Sequence, residues 1–209
     1  MWQVVVPVKG WDTAKSRLEL PPAARRHIVR AMTADTLAAL ANCSDVNTVS
    51  VLIRDRALIG SSVLRGVESV VVQPDPTASL NVALRRYLST QVGQPTPLAV
   101  VVADLPALRA GSLFAVLRDA QQHHFAMVAD REGTGTTVLT ALLPSDLGPR
   151  FGDRSAVAHA KAGAALIASA PDVACDVDTV ADLRYARLLG LGPQTASLLS
   201  DPAISSWLG

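Results

Sequence analysis

The chain has 209 residues, is 49% hydrophobic and sets 19 basic residues against 18 acidic ones, a formal net charge of +1. So even a balance argues against a broad nucleic-acid surface or a polybasic membrane patch. Aromatic content of 4% leaves little for a base-stacking platform. The length fits one domain, residues 1–209, with a sizeable core.

In chain order, Trp2 to Val8 is a near-continuous apolar run of the buried-strand type. It carries no basic leader and already reads as structure. A polar loop over 9–18 follows. Pro22 then opens a long helical pattern with Ile28, Met32, Leu37 and Leu40 at helical spacing. A second strand is expected over 46–53 and a third over 67–73, stopped by Pro74-Asp75-Pro76. Ser79 is placed to cap a helix through Leu84 and Leu88. A fourth strand over 98–102 runs to Asp104, and 111–123 reads as helix. Residues 125–129 read as a fifth strand and 130–136 as a glycine-bearing turn. An extended run over 137–143 is placed as a hairpin partner. Residues 144–154 read as loop, 155–168 as an alanine-rich helix and 174–177 as a short final strand. Thr179 starts a helix through Leu189, and periodicity is weak after Gly192.

Strands alternating with helices predict an α/β fold, a mostly parallel sheet covered on both faces with one late antiparallel excursion. Ligands of such sheets sit beyond the carboxyl ends of the strands. Lys9, Asp75, Asp104, Asp130 and Asp178 all fall just after expected strands. Cys43 and Cys175 are too few and too far apart for a disulfide framework or zinc motif, so a reduced, cytoplasmic chain is expected. The apolar stretches are short and interrupted by charge, which excludes a membrane span.

Two acidic clusters, Asp104-Leu105-Pro106 and Asp176-Val177-Asp178, carry the chemistry. Carboxylates converging from neighbouring strand ends repel one another, and a hard divalent cation such as Mg²⁺ relieves that repulsion. Spacing i, i+2 in extended chain sets Asp176 and Asp178 on one face. The alternative for these acids is capping: Asp104 in a helix N-cap or Asx-turn, and Asp178 or Thr179 over the last helix with Asp182. Lys9, Lys15 and Arg17 follow the first strand and could clamp a triphosphate; a solvated basic loop is the alternative. This loop is neither a P-loop nor GxGxxG, which argues against a Walker ATPase and a dinucleotide oxidoreductase. Gly133, Thr134, Gly135 and Thr136 could form a backbone nest for an anion, or an ordinary hairpin turn. Arg150-Phe151-Gly152-Asp153-Arg154-Ser155 could present free N–H groups if Ser155 caps a helix. No Ser-His-Asp or Cys-His arrangement is present. His27 and His159 read as surface or packed residues. Aspartates, cations and anion cradles without a strong base suit phosphoryl or nucleotidyl transfer, where the nucleophile is already ionised.

Together, V-K-x4-A-K-S-R-L from Val8, Ser79-Leu80-Asn81, Asp104-Leu-Pro106, Asp130-Arg-x-Gly-Thr-Gly-Thr136, Arg150-Phe-Gly152-x-x-Ser155 and Cys175-Asp-Val-Asp178-Thr resemble the CofC/FbiD family, guanylyltransferases of coenzyme F-420 biosynthesis. The resemblance covers nearly the whole chain. It implies a Rossmann-like nucleotidyltransferase fold of the nucleotide-diphospho-sugar transferase type. It implies that GTP and phosphoenolpyruvate give enolpyruvyl-diphospho-guanosine and pyrophosphate. Thr136, Gly152 and Ser155 match positions that bind phosphoenolpyruvate, and Asp104, Asp176 and Asp178 match metal-binding acids. Lys9, Lys15 and Arg17 match the triphosphate side, with Lys15, Arg17 and Asp104 as catalytic candidates. The loop from Asp75 to Asn81 is assigned to the nucleoside. 2-Phospho-L-lactate and 3-phosphoglycerate stay open as acceptors. So do monomer or homodimer, and handover to the next pathway enzyme. A metal-dependent glycosyltransferase and a non-catalytic GTP-binding partner are the rival functions.

Overall fold

The computed structural model describes residues 1–11, 15–64, 67–73 and 77–205. The strands are β1 (Trp2–Val8), β2 (Val46–Ile53), β3 (Ser69–Val72), β4 (Leu98–Val101), β5 (Phe125–Ala129), β6 (Thr136–Ala141) and β7 (Ala165–Leu166). They form a seven-stranded sheet in the order β3-β2-β1-β4-β6-β5-β7. β1 pairs in parallel with β2 and β4, β2 with β3, and β5 with β7. β6 is antiparallel to both neighbours, β4 and β5. The hairpin read from the sequence is therefore present, but its second strand lies inside the sheet, not at an edge.

The helices are α1 (Pro22–Ala41), α2 (Leu80–Ser89), α3 (Ala110–Ala120), α4 (Ser155–Lys161), α5 (Pro171–Ala174), α6 (Val180–Leu189), α7 (Pro193–Leu199) and α8 (Pro202–Ser205). Alternate side chains of a strand face opposite sides. Val4, Val6 and Val8 accordingly pack with Leu37 and Leu40 of α1 and Leu113 and Leu117 of α3. Val5, on the other face, joins Leu84 and Leu88 of α2 and Ala156 of α4. Burial on both faces explains why β1 lacks an apolar–polar alternation. A third cluster joins Ile28 and Met32 of α1 to Leu183 of α6 and Leu199 of α7. Ser79 caps α2, its hydroxyl accepting from Val82 N–H at 3.4 Å.

Two expected elements are corrected. The helix expected over 155–168 ends at Lys161, because Gly163 adopts φ 95° and turns the chain. Ala165 and Leu166 then pair with β5, and Ile167 N–H donates to the Met127 carbonyl at 2.8 Å. The strand expected over 174–177 is absent. Pro171 opens α5 instead, and the chain after it is irregular, held by Val177 N–H donating to the Asp104 carbonyl at 3.1 Å. No helix of the described residues is long and apolar enough to cross a membrane.

Candidate active site

Three chain segments that are distant in sequence meet beyond the carboxyl ends of β1 and β4. The turn carrying Asp104 is pinned from below: Thr36 of α1 donates to the Ala103 carbonyl at 3.3 Å and its hydroxyl accepts from Leu105 N–H at 3.1 Å. Helix α3 starts only at Ala110, so Asp104 is not its cap. Asp178 stands beside the start of α6. There Thr179 and Asp182 form the capping box, and Asp178 N–H donates to Asp182 at 3.3 Å. The cap is thus supplied by Thr179, which leaves the Asp178 carboxylate for other work.

Lys15 joins the two acids. Its ammonium pairs with Asp104 Oδ2 and with Asp178 Oδ1, the latter at 2.5 Å. The residue is held at φ 57°, ψ 44°, a left-handed conformation costly for a side chain with a Cβ. Burial alone would lower the Lys15 pKa, but Asp104 and Asp178 outweigh it and hold the ammonium above the usual lysine value. Arg17 reaches the other Asp178 oxygen at 3.0 Å. Its side chain is 74% exposed, so water screens that pair.

Asp176 lies close enough to feel these charges. Burial, then the Asp104 charge, push its carboxyl up to about 7, with Lys15 offsetting part of the effect and Asp178 and Asp130 adding to it. A cation relieves such repulsion, and here Lys15 supplies it. Among the described residues, no three carboxylate, histidine or cysteine side chains form a ready metal-ligand cluster. Asp104, Lys15 and Asp178 thus form a bridge, with Asp176 beside it. The acids nevertheless fit a divalent cation: the donors are all hard oxygens, and Asp104 Oδ1 is buried without a hydrogen-bond partner.

Lys15, Asp104 and Asp178 border a cavity of about 310 Å³ that is also lined by Lys9, Arg17, Arg54, Gln73, Pro7, Val8, Leu52 and Leu80. Gln73 and Arg54 were not singled out from sequence. A larger groove of about 650 Å³ lies between β2, β3 and α2. Asp75 lies outside the described residues. Asn81, expected on the nucleoside side, is tied to Phe151. Its amide donates to the Phe151 carbonyl and accepts from Phe151 N–H, both at 2.8 Å, clamping the 150–152 loop onto α2.

Thr136, Gly152 and Ser155 form a second, more buried group. Ser155 Oγ donates to Thr136 Oγ1 at 3.2 Å, and Ser155 N–H donates to the Gly152 carbonyl at 3.2 Å. Both candidate anion cradles are at least partly filled by the chain's own groups. In the 130–136 turn, Asp130 accepts from Thr134 N–H at 2.8 Å and Gly135 N–H at 2.7 Å, so the nest holds the chain's own carboxylate. A Cβ on Gly135 would collide with that carboxylate. At the start of α4, Ser155 is the first helical residue and Arg154 stands at the cap position. Ala156 N–H is spent on the Thr134 carbonyl at 3.0 Å.

His159, read as a surface or packed residue, organises this group. It is fully buried, with Nδ1 2.9 Å from Thr136 Oγ1 and Nε2 accepting from Arg150 N–H at 2.8 Å. Burial, then the Arg150 charge, lower its pKa to about 4, so the ring is neutral. Because Nε2 is an acceptor, Nδ1 carries the proton and donates to Thr136. Thr136 Oγ1 thus accepts from His159 and from Ser155, and its own hydroxyl proton is left to donate elsewhere. A histidine four residues after Ser155 on a helix was visible in the sequence, but nothing there showed which way it faced.

Comparison with known proteins agrees over the whole length. Residues 2–202 match the family described as Guanylyl transferase CofC like. The chain is 41% identical over 211 residues to a phosphoenolpyruvate guanylyltransferase of Geodermatophilus obscurus, covering 97% of this chain and 95% of that one. It is 40% identical over 208 residues, with the same coverages, to the phosphoenolpyruvate guanylyltransferase of Salinispora arenicola. In fold it is similar to a nucleotide-diphospho-sugar transferase-like protein of Desulfovibrio desulfuricans G20, with TM-score 0.73, 16% identity and 99% and 97% of the two chains covered. It also resembles Rv0371C of Mycobacterium tuberculosis H37Rv in complex with manganese, with TM-score 0.56, 21% identity and coverage of 88% and 97%.

Proposed function

The chain belongs to the CofC-like guanylyl transferase family, and on that premise we propose that it joins GTP to phosphoenolpyruvate, releasing pyrophosphate, as a step of coenzyme F-420 biosynthesis. It is a nucleotidyltransferase. In this reading a phosphate oxygen of the acceptor attacks the α-phosphorus of GTP. The bond from that phosphorus to the β-bridging oxygen breaks, and enolpyruvyl-diphospho-guanosine and pyrophosphate result. Because the acceptor phosphate is ionised at neutral pH, no general base is needed. The site must align two anions and neutralise them.

The observation that carries the reading is the Asp104–Lys15–Asp178 bridge at the rim of a cavity shared with Lys9 and Arg17. Lys9, Lys15 and Arg17 hold the triphosphate and take up the charge that develops on the leaving pyrophosphate. Thr136, with its free hydroxyl proton, Ser155 and Gly152 orient the acceptor. Asp104, Asp176 and Asp178 would hold a divalent cation, magnesium in this reading, which when bound supplies charge neutralisation at the phosphates. The manganese complex of the structural neighbour Rv0371C is consistent with that choice of ion type. The cytosol, as the source of both substrates, is the proposed compartment.

The test is pyrophosphate release from GTP with phosphoenolpyruvate, 2-phospho-L-lactate and 3-phosphoglycerate in parallel, with magnesium, with manganese and with chelator. Turnover with phosphoenolpyruvate far above the other two supports the assignment. Pyrophosphate release with none of them, or release of a nucleoside diphosphate from a sugar nucleotide, overturns it.

A further inference from the structure

The cavity lining mixes two chemistries: Lys9, Lys15, Arg17 and Arg54 with the acids Asp104 and Asp178, and the apolar side chains Pro7, Val8, Leu52 and Leu80, with Gln73 among them. Gln73 follows β3, and its N–H donates to the Ile53 carbonyl at 2.9 Å, which ties its backbone to β2. The residue is 6% exposed, and its side-chain Oε1 is buried with no hydrogen-bond partner among the described residues. An unpaired buried amide oxygen weakens the folded state, since water must be stripped from it and nothing replaces the lost bond. A hydrocarbon side chain of similar size would avoid that cost. The position therefore reads as one kept for a ligand that carries an N–H.

We propose that Gln73 reads the nucleobase, with Oε1 accepting an N–H from the edge of guanine. This rests on the reading above, in which the triphosphate lies against Lys9, Lys15 and Arg17 in the same cavity. Guanine presents N1–H and the exocyclic N2 amine side by side, and O6 next to N1–H. An amide oxygen can accept from N1–H while the amide N–H donates to O6 in the same plane. Adenine has an unprotonated N1 in that place, so two acceptors would face each other. The Leu52 and Leu80 side chains offer apolar contact for the faces of the ring. Gln73 also borders the larger groove between β2, β3 and α2. That groove lacks the three cations, so it offers nothing equivalent for a triphosphate.

Gln73→Met tests the assignment because a structural role and a ligand role move its readouts in opposite directions. The expected result is an unliganded melting temperature equal to or above wild type, together with a smaller upward shift on adding GTP. Steady-state kcat/KM for GTP falls by about 10- to 100-fold, the preference for GTP over ATP shrinks by a similar factor, and KM for the acceptor stays within about twofold. A lower unliganded melting temperature with unchanged GTP-over-ATP preference assigns Gln73 to the scaffold and overturns the proposal. Wild-type turnover of GTP with an unaltered preference in the variant removes the base-reading role alone. Absence of both turnover and a GTP-induced thermal shift in wild type removes the guanylyltransferase reading and this one with it.

Discussion

Acidification tests the buried histidine that organises the acceptor side. His159 is neutral in the fold because burial, reinforced by Arg150, lowers its pKa from 6.5 to about 4. The unfolded chain takes up that proton near pH 6.5, while the folded chain resists it until about pH 4. Stability from this group is therefore fully present above pH 6.5 and is lost as pH falls towards 4. The full difference corresponds to about 3 kcal/mol, of which about 2 kcal/mol is lost between pH 7 and pH 5. For a chain of this size that is about 4–8 °C in melting temperature. Asp176 acts with the opposite sign. Its carboxyl is pushed up to about 7, so the folded chain takes up that proton first and gains stability as pH falls from 7 towards 4. Wild type alone sums the two, and the informative quantity is the difference between wild type and His159→Asn. The asparagine amide keeps a donor near Thr136 but does not titrate. Thermal melts from pH 4 to 8 should show the wild type losing about 2 kcal/mol more than the variant between pH 7 and pH 5. Parallel curves would refute the neutral-imidazole argument.

Lys15→Met removes the ammonium between Asp104 and Asp178, and kcat/KM for GTP should fall at least about 100-fold in the pyrophosphate-release assay; a value near wild type would separate the bridge from the chemistry. Asp178→Asn should also lose nearly all turnover, while its melting temperature stays close to wild type because the Thr179–Asp182 box and not Asp178 caps α6. Near-normal activity of that variant at saturating magnesium would remove Asp178 from the cation site. Gly135→Ala drives a Cβ into the Asp130 carboxylate, and should cost about 1–3 kcal/mol of stability in denaturant unfolding and raise KM for the acceptor, since the same turn carries Thr136. An unchanged midpoint would show that the turn relaxes freely.

Local pattern alone located most of the framework. β1, β2 and β5 begin and end where their apolar runs do, and Pro22, Ser79 and Thr179 mark helix starts through chemistry that acts within a few residues. The order of motifs likewise pointed to the family, and Lys15, Arg17, Asp104 and Asp178 do meet. Other features depend on groups that are distant along the chain. Helix α7, where periodicity is weak, is anchored by Asp35 of α1, whose carboxylate accepts from Gln194 N–H at 2.9 Å and Thr195 N–H at 2.7 Å. In sequence the 130–136 stretch reads either as an anion nest or as an ordinary hairpin turn, and only the fold reveals Asp130 inside it. Three carboxylates in one region read as a cation site, and the tertiary structure set a lysine from another segment between two of them. Hydrophobic period and caps are short-range properties written in consecutive residues. Which charge neutralises which, and which way a buried histidine or glutamine faces, are decided only when separate segments pack and exclude water.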